Sequence, residues 1–296
     1  MFRERAAPGP ISNENSYKAV HQTVRYYRDS QSYLEGPLQG TCHFGYSQPG
    51  ERYELSAALR SMEILLGETL ALPPGAKVID AGCGYGRVAA TLSKQFGYNV
   101  IGIDLIQERL KEARQHTTTH GDSQRVGMVN GSFCKLPIED SSVSAVYTME
   151  TLVHADPLEA ALDEFQRVLK PGGKVVHFEY AVPDQDKLDP IRRKITDVMV
   201  ERTGMASIGR FTHGNLPKIL HDANFENVTV KDISRNVWPT WRWLFWNAVR
   251  NDWKRILRGR FMERTNLAAS LFIYPYRHQL GYNIITATKP YTPILN

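Results

Sequence analysis

The chain has 296 residues, 42% of them hydrophobic, and a formal net charge of +5 at pH 7. This composition allows a full globular core, and the mild basic excess gives no reason to expect a nucleic-acid partner. No apolar stretch is long enough to cross a bilayer, and the first ten residues lack the apolar segment of a secretory signal.

Residues 1–50 are expected to form an amino-terminal arm or lid. The stretch from Ser16 to Tyr33 fits an amphipathic helix rich in tyrosine, and the Gly/Pro-punctuated loop GPLQGTCHFGYSQPGE follows it. The stretch from Glu51 to Leu70 predicts a second helix, because apolar residues recur there every three or four positions.

Strand and helix patterns alternate over the middle of the chain, residues 51–182. The predicted strands are AKVIDA, NVIGIDL, RVGMVNG, SSVSAVYTM and GKVVHFEYA, and the predicted helices are GRVAATLSKQF, QERLKEARQH and PLEAALDEFQRVLK. The last of these helices is expected to stop at Pro171–Gly173. This alternation predicts a Rossmann-like α/β fold, with a mostly parallel sheet of about seven strands and helices on both faces.

The carboxy-terminal part, residues 183–296, is expected to complete this core. Helical patterns run from Pro183 to Asp222, and VTVKDI and YNIITATK predict the last two strands, with a helical insertion before the final one. Much of the positive charge lies in this insertion, between Trp241 and Phe261. We favour a helix with an aromatic core face and a solvated basic face, or a substrate lid, over a membrane-surface helix or a nucleic-acid patch.

Three glycines follow the first predicted strand, in the segment VIDAGCGYGR. Gly82, Gly84 and Gly86 let a ligand approach the backbone, and ligands of parallel sheets bind beyond the carboxyl ends of the strands. A dinucleotide loop would need a small residue where Arg87 stands. The G-x-G-x-G spacing, with Asp80 two residues before it, instead resembles the S-adenosylmethionine loop of class I methyltransferases.

Three further segments strengthen this resemblance. Asp104 ends the second strand, where a carboxylate can accept both ribose hydroxyls, although it could instead cap the next helix. NGSFCKLPIEDSSVSAV resembles the element that reads the adenine, with Ser132 in place of the family's acid, and EFQRVLKPGGKVVHFEY resembles the family's helix, turn and fifth strand. The resemblance implies S-adenosyl-L-methionine as the cofactor. The residues expected to bind it are Asp80, Gly82, Gly84, Gly86, Asp104, Leu105, Ser132, Phe133 and Met149.

Most of the chain, from about Tyr26 onward, resembles a narrower group of these enzymes. CHFGYSQPGE is similar to the amino-terminal element of both sterol side-chain methyltransferases and tocopherol methyltransferases. AVYTMETLVHADP and HFEYAVPD are similar to segments of the sterol enzymes, and DISRNVWPTWRWL and YNIITATKP to the end of the tocopherol enzymes. The Tyr/Trp/Gly-rich stretch of the sterol enzymes is absent, and YLEGPLQGT stands in its place. The resemblance implies methylation of an alkene carbon in an isoprenoid or prenylated molecule, through a carbocation. N- or O-methylation of an apolar ring compound is the alternative.

Four residues near the predicted strand ends are candidates for the chemistry. Glu150 and His154 follow the fourth strand, and Glu179 and Tyr180 end the fifth. Glu150 could contact the cofactor or the developing positive charge, and His154 is the natural proton acceptor because histidine titrates near neutrality. His154 could instead cap a helix or lie in the core, and Glu179 could satisfy buried amides.

The expected partner is a small apolar or amphipathic substrate. Its candidate contacts are His43, Tyr46, Tyr33 and Trp241, each of which could instead serve ordinary packing. We expect no nucleic acid, at most peripheral membrane contact, and a homo-oligomer as an open alternative. The three cysteines are too widely separated for a zinc-type pair, so we also expect no metal and a reduced, cytoplasmic setting.

Overall fold

The computed structural model describes residues 14–29, 38, 40–121 and 123–291. The strands are β1 (Lys77–Ala81), β2 (Asn99–Asp104), β3 (Val126–Asn130), β4 (Val143–Met149), β5 (Leu169–Ala181), β6 (Glu226–Asp232) and β7 (Gly281–Thr288). The α-helices are α1 (Glu14–Asp29), α2 (Leu55–Leu70), α3 (Arg87–Phe96), α4 (Gln107–His120), α5 (Leu158–Val168), α6 (Pro190–Thr203), α7 (Leu216–Asp222), α8 (Ser234–Leu257) and α9 (Thr265–Ile273).

The seven strands form one sheet in the order β3-β2-β1-β4-β5-β7-β6. Neighbours from β3 to β5 are parallel, and β7 is antiparallel to both β5 and β6. The predicted fold class is confirmed, including the helical arm before the sheet and the helical insertion between β6 and β7. The chain leaves β1 in opposite directions to reach β2 and β4, which opens a crevice at the carboxyl ends of these strands.

The hydrophobic core has two layers, one on each face of the sheet. Ile79 belongs to the cluster that includes Phe165 of α5, whereas the preceding Val78 belongs to the cluster of Leu66 in α2 and Trp241 in α8. Successive residues of a strand point to opposite faces, so the unbroken apolar runs of the central strands fill both layers.

The start of β5 differs from the prediction. The helix was expected to stop at Pro171–Gly173, but α5 ends at Val168 and β5 already begins at Leu169. Leu169 pairs with Val143 of β4, and the register then shifts so that Lys174 pairs with Ala145. The Pro-Gly-Gly segment is therefore an irregularity within the strand rather than a turn before it.

Helix α8 begins at Ser234, seven residues before Trp241, where the sequence predicted its start. Val237 and Trp241 lie one turn apart and are both buried, so packing against the core stabilises this additional part of the helix. The helix departs from helical geometry at Asp252, where it kinks. Among the residues described by the structure, no helix combines the length and the apolar character needed to cross a bilayer.

The packing of α2 against α3 depends on the absence of a side chain at Gly67. A Cβ atom there would overlap the ring of Phe96, which stacks on Tyr98 with 5.6 Å between ring centroids. Gly67→Ala should therefore destabilise the protein by about 1–3 kcal/mol, in spite of alanine's better helix propensity. Urea unfolding measures this loss. The neighbouring Glu68→Ala, at an exposed site of the same helix, should stay within about 0.5 kcal/mol of wild type.

Candidate functional site

A cavity of about 930 Å³ lies over the carboxyl ends of the central strands. The loops after β1, β2, β3 and β4 form its floor and walls, and Val20, Thr23 and Tyr27 of α1 line it from the arm. Among the predicted site residues, the lining includes His43, Asp80, Gly82, Gly84, Asp104, Leu105, Ser132, Phe133, Met149 and His154. The structure thus brings together side chains from five separate segments of the sequence.

The three glycines of the loop after β1 have different roles. All three have positive φ angles, +94° at Gly82, +51° at Gly84 and +71° at Gly86, which glycine tolerates best. A Cβ atom at Gly82 would lie 2.6 Å from Thr151, and one at Gly86 would lie 2.8 Å from Met128. At Gly84 the nearest atom would be 3.8 Å away, so this glycine faces open cavity. Gly86 does not line the cavity, and it serves the packing behind the loop.

Asp104 joins the ends of β1 and β2. Its Oδ2 accepts a hydrogen bond from the Gly84 amide (2.9 Å), and its Oδ1 accepts one from the Ile106 amide (2.8 Å), just before α4. Burial raises the pKa of this carboxyl, and the amide bonds oppose that rise. Each oxygen keeps a further lone pair toward the cavity. Asp104 therefore supports the start of α4 and can still accept hydrogen bonds from a ligand.

Asp80 places a buried carboxyl group at the cavity floor. Asp80 is 4% exposed, and no donor meets ideal hydrogen-bond geometry at its Oδ2, although the Tyr147 hydroxyl lies close enough to act on the carboxyl as a donor. Burial raises the pKa of this carboxyl to about 7. A buried carboxylate with so few hydrogen-bond partners is costly unless a cation or a donor from a ligand also satisfies it. The floor of the cavity is therefore suited to a ligand that carries positive charge.

Glu150 lies behind the cavity lining rather than in it. Its Oε1 accepts hydrogen bonds from the Phe44 amide (2.7 Å) and the Tyr282 hydroxyl (2.8 Å), and its Oε2 accepts one from the Tyr180 hydroxyl. Burial raises the pKa of Glu150. Its φ of +60° is a strained, left-handed conformation for a residue with a side chain. Glu150 thus ties the segment around Phe44 to β5 and β7, and Tyr180 serves the same network.

Glu179 satisfies buried amides, as one of the two sequence interpretations proposed. Its Oε1 accepts hydrogen bonds from the Thr148 hydroxyl (2.9 Å) and from the amides of Thr151 (3.1 Å) and Leu152 (2.9 Å). Burial raises its pKa to about 8. The side chain is fully buried and does not line the cavity. It fixes the chain immediately after β4, where Met149 and Thr151 face the cavity.

His154 forms a pair with Tyr27 at the cavity wall. The Gly204 carbonyl, 3.0 Å from Nδ1, can only accept, so Nδ1 carries the proton and donates it. Nε2 then accepts a hydrogen bond from the Tyr27 hydroxyl at 3.1 Å. Burial lowers the pKa of His154 to about 4, so the imidazole is neutral near pH 7. Spacing in the sequence identified His154, but it did not identify Tyr27 as the partner, since the two residues are 127 positions apart.

Arg109 is a cavity residue that the sequence interpretation missed. Its guanidinium lies 4.3 Å from the ring centroid of Tyr27 and 4.8 Å from that of Tyr85. The side chain is 5% exposed and lines the cavity. Stacking between two aromatic rings suits a guanidinium, and it connects the arm to the loop after β1. A charged residue on an amphipathic helix is usually solvated, so no local signal marked this one.

The four predicted substrate contacts are distributed unevenly. His43 lines the cavity, with its Nδ1 2.9 Å from the Phe44 carbonyl and its Nε2 3.8 Å from Glu63. Tyr46 and Trp241, the latter on the buried face of α8, pack in the same core layer and do not line the cavity. Tyr33 lies outside the described residues. Within the described part of the chain, no cluster of three His, Cys, Asp or Glu side chains is arranged to hold a metal ion.

Comparison with known proteins agrees with this geometry. Residues 79–177 match the family model described as a methyltransferase domain. The chain is 32% identical over 240 residues to an S-adenosyl-L-methionine-dependent Diels-Alderase of Talaromyces variabilis, covering 78% of this chain and 82% of that protein. The chain belongs to the class I S-adenosylmethionine-dependent methyltransferase family. The methyltransferase is also 32% identical over 205 residues to a sterol 24-C-methyltransferase of Gibberella zeae, covering 69% of this chain and 53% of that enzyme.

The methyltransferase thus spans about half the length of that sterol relative. A solved structure of the [4+2]-cyclase SpnF shares its fold, with a TM-score of 0.76 and 23% identity, covering 91% of this chain and 95% of that one. The cofactor of the methyltransferase is S-adenosyl-L-methionine. The cavity fits this molecule, because the open surface at Gly84, the lone pairs of Asp104 and the buried Asp80 carboxyl suit its backbone contacts, ribose hydroxyls and positive charge.

The cavity rim offers contacts for the rest of the cofactor. Leu105 and Phe133 are apolar side chains that follow β2 and β3, where they can sandwich a flat ring. Ser132 Oγ accepts a hydrogen bond from the Cys134 amide (3.1 Å), which leaves its own hydrogen to donate. We propose that these residues hold the adenine, and that Met149 lies near the methionine portion.

Gly84 and Gly86 form a matched pair for testing the cofactor site. Both have left-handed φ angles, so alanine at either position should cost about 1–2 kcal/mol in stability. Gly84→Ala also places a methyl group at the open surface, and should weaken S-adenosylhomocysteine binding by about tenfold or more in calorimetry. Gly86→Ala overlaps Met128 and should destabilise further, while the folded protein keeps more of its affinity. A greater affinity loss for Gly86→Ala would contradict the assignment of Gly84.

The raised pKa of Glu179 predicts a pH-dependent cost to stability. The folded state holds this proton up to about pH 8, whereas the unfolded carboxyl releases it near its ordinary pKa of 4.5. Stability from this group is therefore complete below pH 4.5 and decreases as the pH rises toward 8. Glu179→Gln should become progressively more stable relative to wild type across this window, as measured by urea unfolding at several pH values. Parallel stability curves would show that Glu179 is ionised in the folded protein.

Proposed function

We propose that this enzyme transfers a methyl group from S-adenosylmethionine to an alkene carbon of an isoprenoid or prenylated small molecule. The observation that carries the proposal is the neutral His154–Tyr27 pair, which shares one cavity with the Gly84–Asp104 cofactor site. An alkene needs no base before methyl transfer, but the carbocation formed afterwards must lose a proton. A neutral imidazole with a fixed tautomer suits that second step.

The chain's own residues would orient the reactants and exclude water. S-adenosylmethionine, when bound, supplies an electrophilic methyl group on a positively charged sulfur. Tyr27 and Tyr85 present aromatic rings to the cavity, and such faces stabilise positive charge without reacting with it. Arg109 stacks on both rings and so fixes their positions. We propose that α1, which supplies Tyr27, acts as the lid that shields the carbocation from water.

The proton would leave through Tyr27. The phenol oxygen takes the proton from the carbon next to the cation, whose C–H electron pair becomes the new double bond. In the same step the phenol gives its own proton to Nε2 of His154. The resulting imidazolium keeps its Nδ1–H bond to the Gly204 carbonyl. Because burial lowers the pKa of His154 to about 4, the imidazolium readily releases its proton to water and the neutral base is restored.

Removal of the Tyr27 hydroxyl should separate catalysis from binding. Tyr27→Phe keeps the ring over Arg109 but breaks the bond to His154, so we expect kcat to fall by about 100-fold with S-adenosylhomocysteine affinity unchanged. His154→Ala should cause a similar loss. The control is Tyr26→Phe, which removes the adjacent hydroxyl that donates to Asn266 outside the cavity. Wild-type kcat should decline only as the pH approaches about 4. Full turnover in Tyr27→Phe would remove this residue from the proton path.

The reaction type can be tested with methyl-labelled S-adenosylmethionine and a panel of prenylated quinones, prenylated indoles and sterols. Label in a new carbon–methyl bond supports the proposal. Label on nitrogen or oxygen of an apolar ring compound instead supports the alternative that the sequence left open.

A second candidate function is cofactor-dependent [4+2] cyclisation. It is favoured by the similarity to the Diels-Alderase, which extends over 82% of that protein, whereas the sterol relative is covered only over 53%. A cyclase would convert a polyene to an isomer of the same mass without using the methyl group. Product formation that proceeds equally with S-adenosylhomocysteine would establish cyclisation and exclude methyl transfer.

The division into an arm (1–50), a cofactor-binding core (51–182) and a carboxy-terminal part with an inserted lid (183–296) stays a proposal. The cytoplasmic location and the number of subunits also remain predictions from the sequence.

A further inference from the structure

Helix α8 has an outer face that no described residue covers. Its inner face is buried through Val237, Trp241, Leu244 and Ala248. The opposite face is exposed and combines aromatic, aliphatic and basic side chains. We call this face the outer stripe, and it consists of Arg242, Trp246, Arg250, Trp253, Lys254, Leu257 and Arg258.

The apolar members of the outer stripe are unusually exposed. Trp246 is 59% exposed, Trp253 51% and Leu257 77%. They account for three of the seven large hydrophobic side chains exposed in the described part of the protein. From Trp246 to Leu257 the stripe extends along about 16 Å of helix. Single exposed apolar residues are common, but a concentration of two tryptophans and a leucine on one helix indicates a binding surface.

The charges of the outer stripe all have the same sign. Arg242, Arg250, Lys254 and Arg258 are exposed and form no ion pair with another described residue. Lys254 lies 5.6 Å from the ring centroid of Trp253, so charge and apolar surface are interleaved. The nearby carboxylate of Asp252 is 19% exposed and already paired with Arg255 (3.4 Å) and Arg264 (3.2 Å). The stripe therefore presents uncompensated positive charge.

We propose that the outer stripe binds the surface of an anionic lipid bilayer. Tryptophan is favoured at the boundary between lipid headgroups and acyl chains, and arginine and lysine are attracted to anionic headgroups. A helix with a buried apolar face, a kink and an exposed basic-aromatic face would lie in the plane of that boundary. The inference concerns this surface alone, so it goes beyond the proposed reaction and does not depend on the identity of the methyl acceptor.

Two other occupants fit the outer stripe less well. A symmetric dimer would place the stripe against a second copy of itself, and four unpaired cations would then face four more. A nucleic acid would satisfy the charges, but it would leave the 77% exposed Leu257 without an apolar partner. An anionic bilayer supplies both negative charge and hydrocarbon to the same face.

The test is cosedimentation of the full chain with vesicles. We expect binding to vesicles of phosphatidylserine mixed with phosphatidylcholine, little binding to phosphatidylcholine alone, and weakening by added salt. Arg250→Gln with Lys254→Gln should reduce the partition coefficient by roughly 25-fold, at about fivefold per charge. Trp246→Ala with Trp253→Ala should also reduce it. The control is Ile191→Ala, which removes an apolar side chain that is 74% exposed on α6 and should change nothing.

Calorimetric binding of S-adenosylhomocysteine verifies that every variant is folded, since none of these residues lines the cofactor cavity. The proposal is overturned if wild type does not bind the anionic vesicles, or if both double variants bind as well as wild type. It is also overturned if light scattering shows a dimer that the tryptophan variant dissociates, or if RNA competes at equal charge while the tryptophan variant keeps full vesicle binding.

Discussion

The hydrogen bond from the Gly84 amide to Asp104 holds the cofactor end of the structure together. It joins the loop after β1 to the end of β2, and the second Asp104 oxygen accepts a hydrogen bond from the Ile106 amide, just before α4. Without this carboxylate, the backbone amides of Gly84 and Ile106 would lose their common partner. The carboxylate is buried, and its raised pKa reflects the cost of that burial. The cavity therefore depends on an acid that also faces the ligand.

Two further buried carboxylates shape the other side of the crevice. Glu179 accepts hydrogen bonds from the amides that follow β4. Glu150 accepts hydrogen bonds from the Phe44 amide and from the hydroxyls of Tyr180 and Tyr282. Burial raises the pKa of each group, because the charged form of a carboxyl is disfavoured away from water. Buried polar groups of this kind are costly individually, and Glu179 Oε2 has no hydrogen-bond partner among the described residues, but the bonds that are made favour one arrangement of the chain. Here they fix the segment that carries Met149 and leads to His154.

The arm completes the site from a distant part of the sequence. Tyr27 contacts His154 through its hydroxyl and Arg109 through its ring, while Thr23 donates a hydrogen bond to the Gly204 carbonyl at 3.1 Å. That carbonyl also accepts the Nδ1 proton of His154. The arm, the segment after β4 and the end of α6 thus meet at one backbone oxygen. The proposed proton acceptor and the proposed lid are consequently held by the same few residues.

The sequence by itself determined the fold class and the cofactor loop, because both leave local signals. Alternating strand and helix periods predicted the sheet, and the spacing of Asp80, Gly82 and Gly84, with Asp104 one strand later, predicted the site that lines the cavity. Only the tertiary structure decided what the remaining candidates contact. It placed Glu150 behind the cavity, turned Gly86 toward Met128, buried Trp241 on the inner face of α8 and brought Arg109 beside Tyr27. A glycine turn or a strand depends on neighbours a few positions away, whereas the direction of a side chain depends on contacts between residues that are tens to hundreds of positions apart.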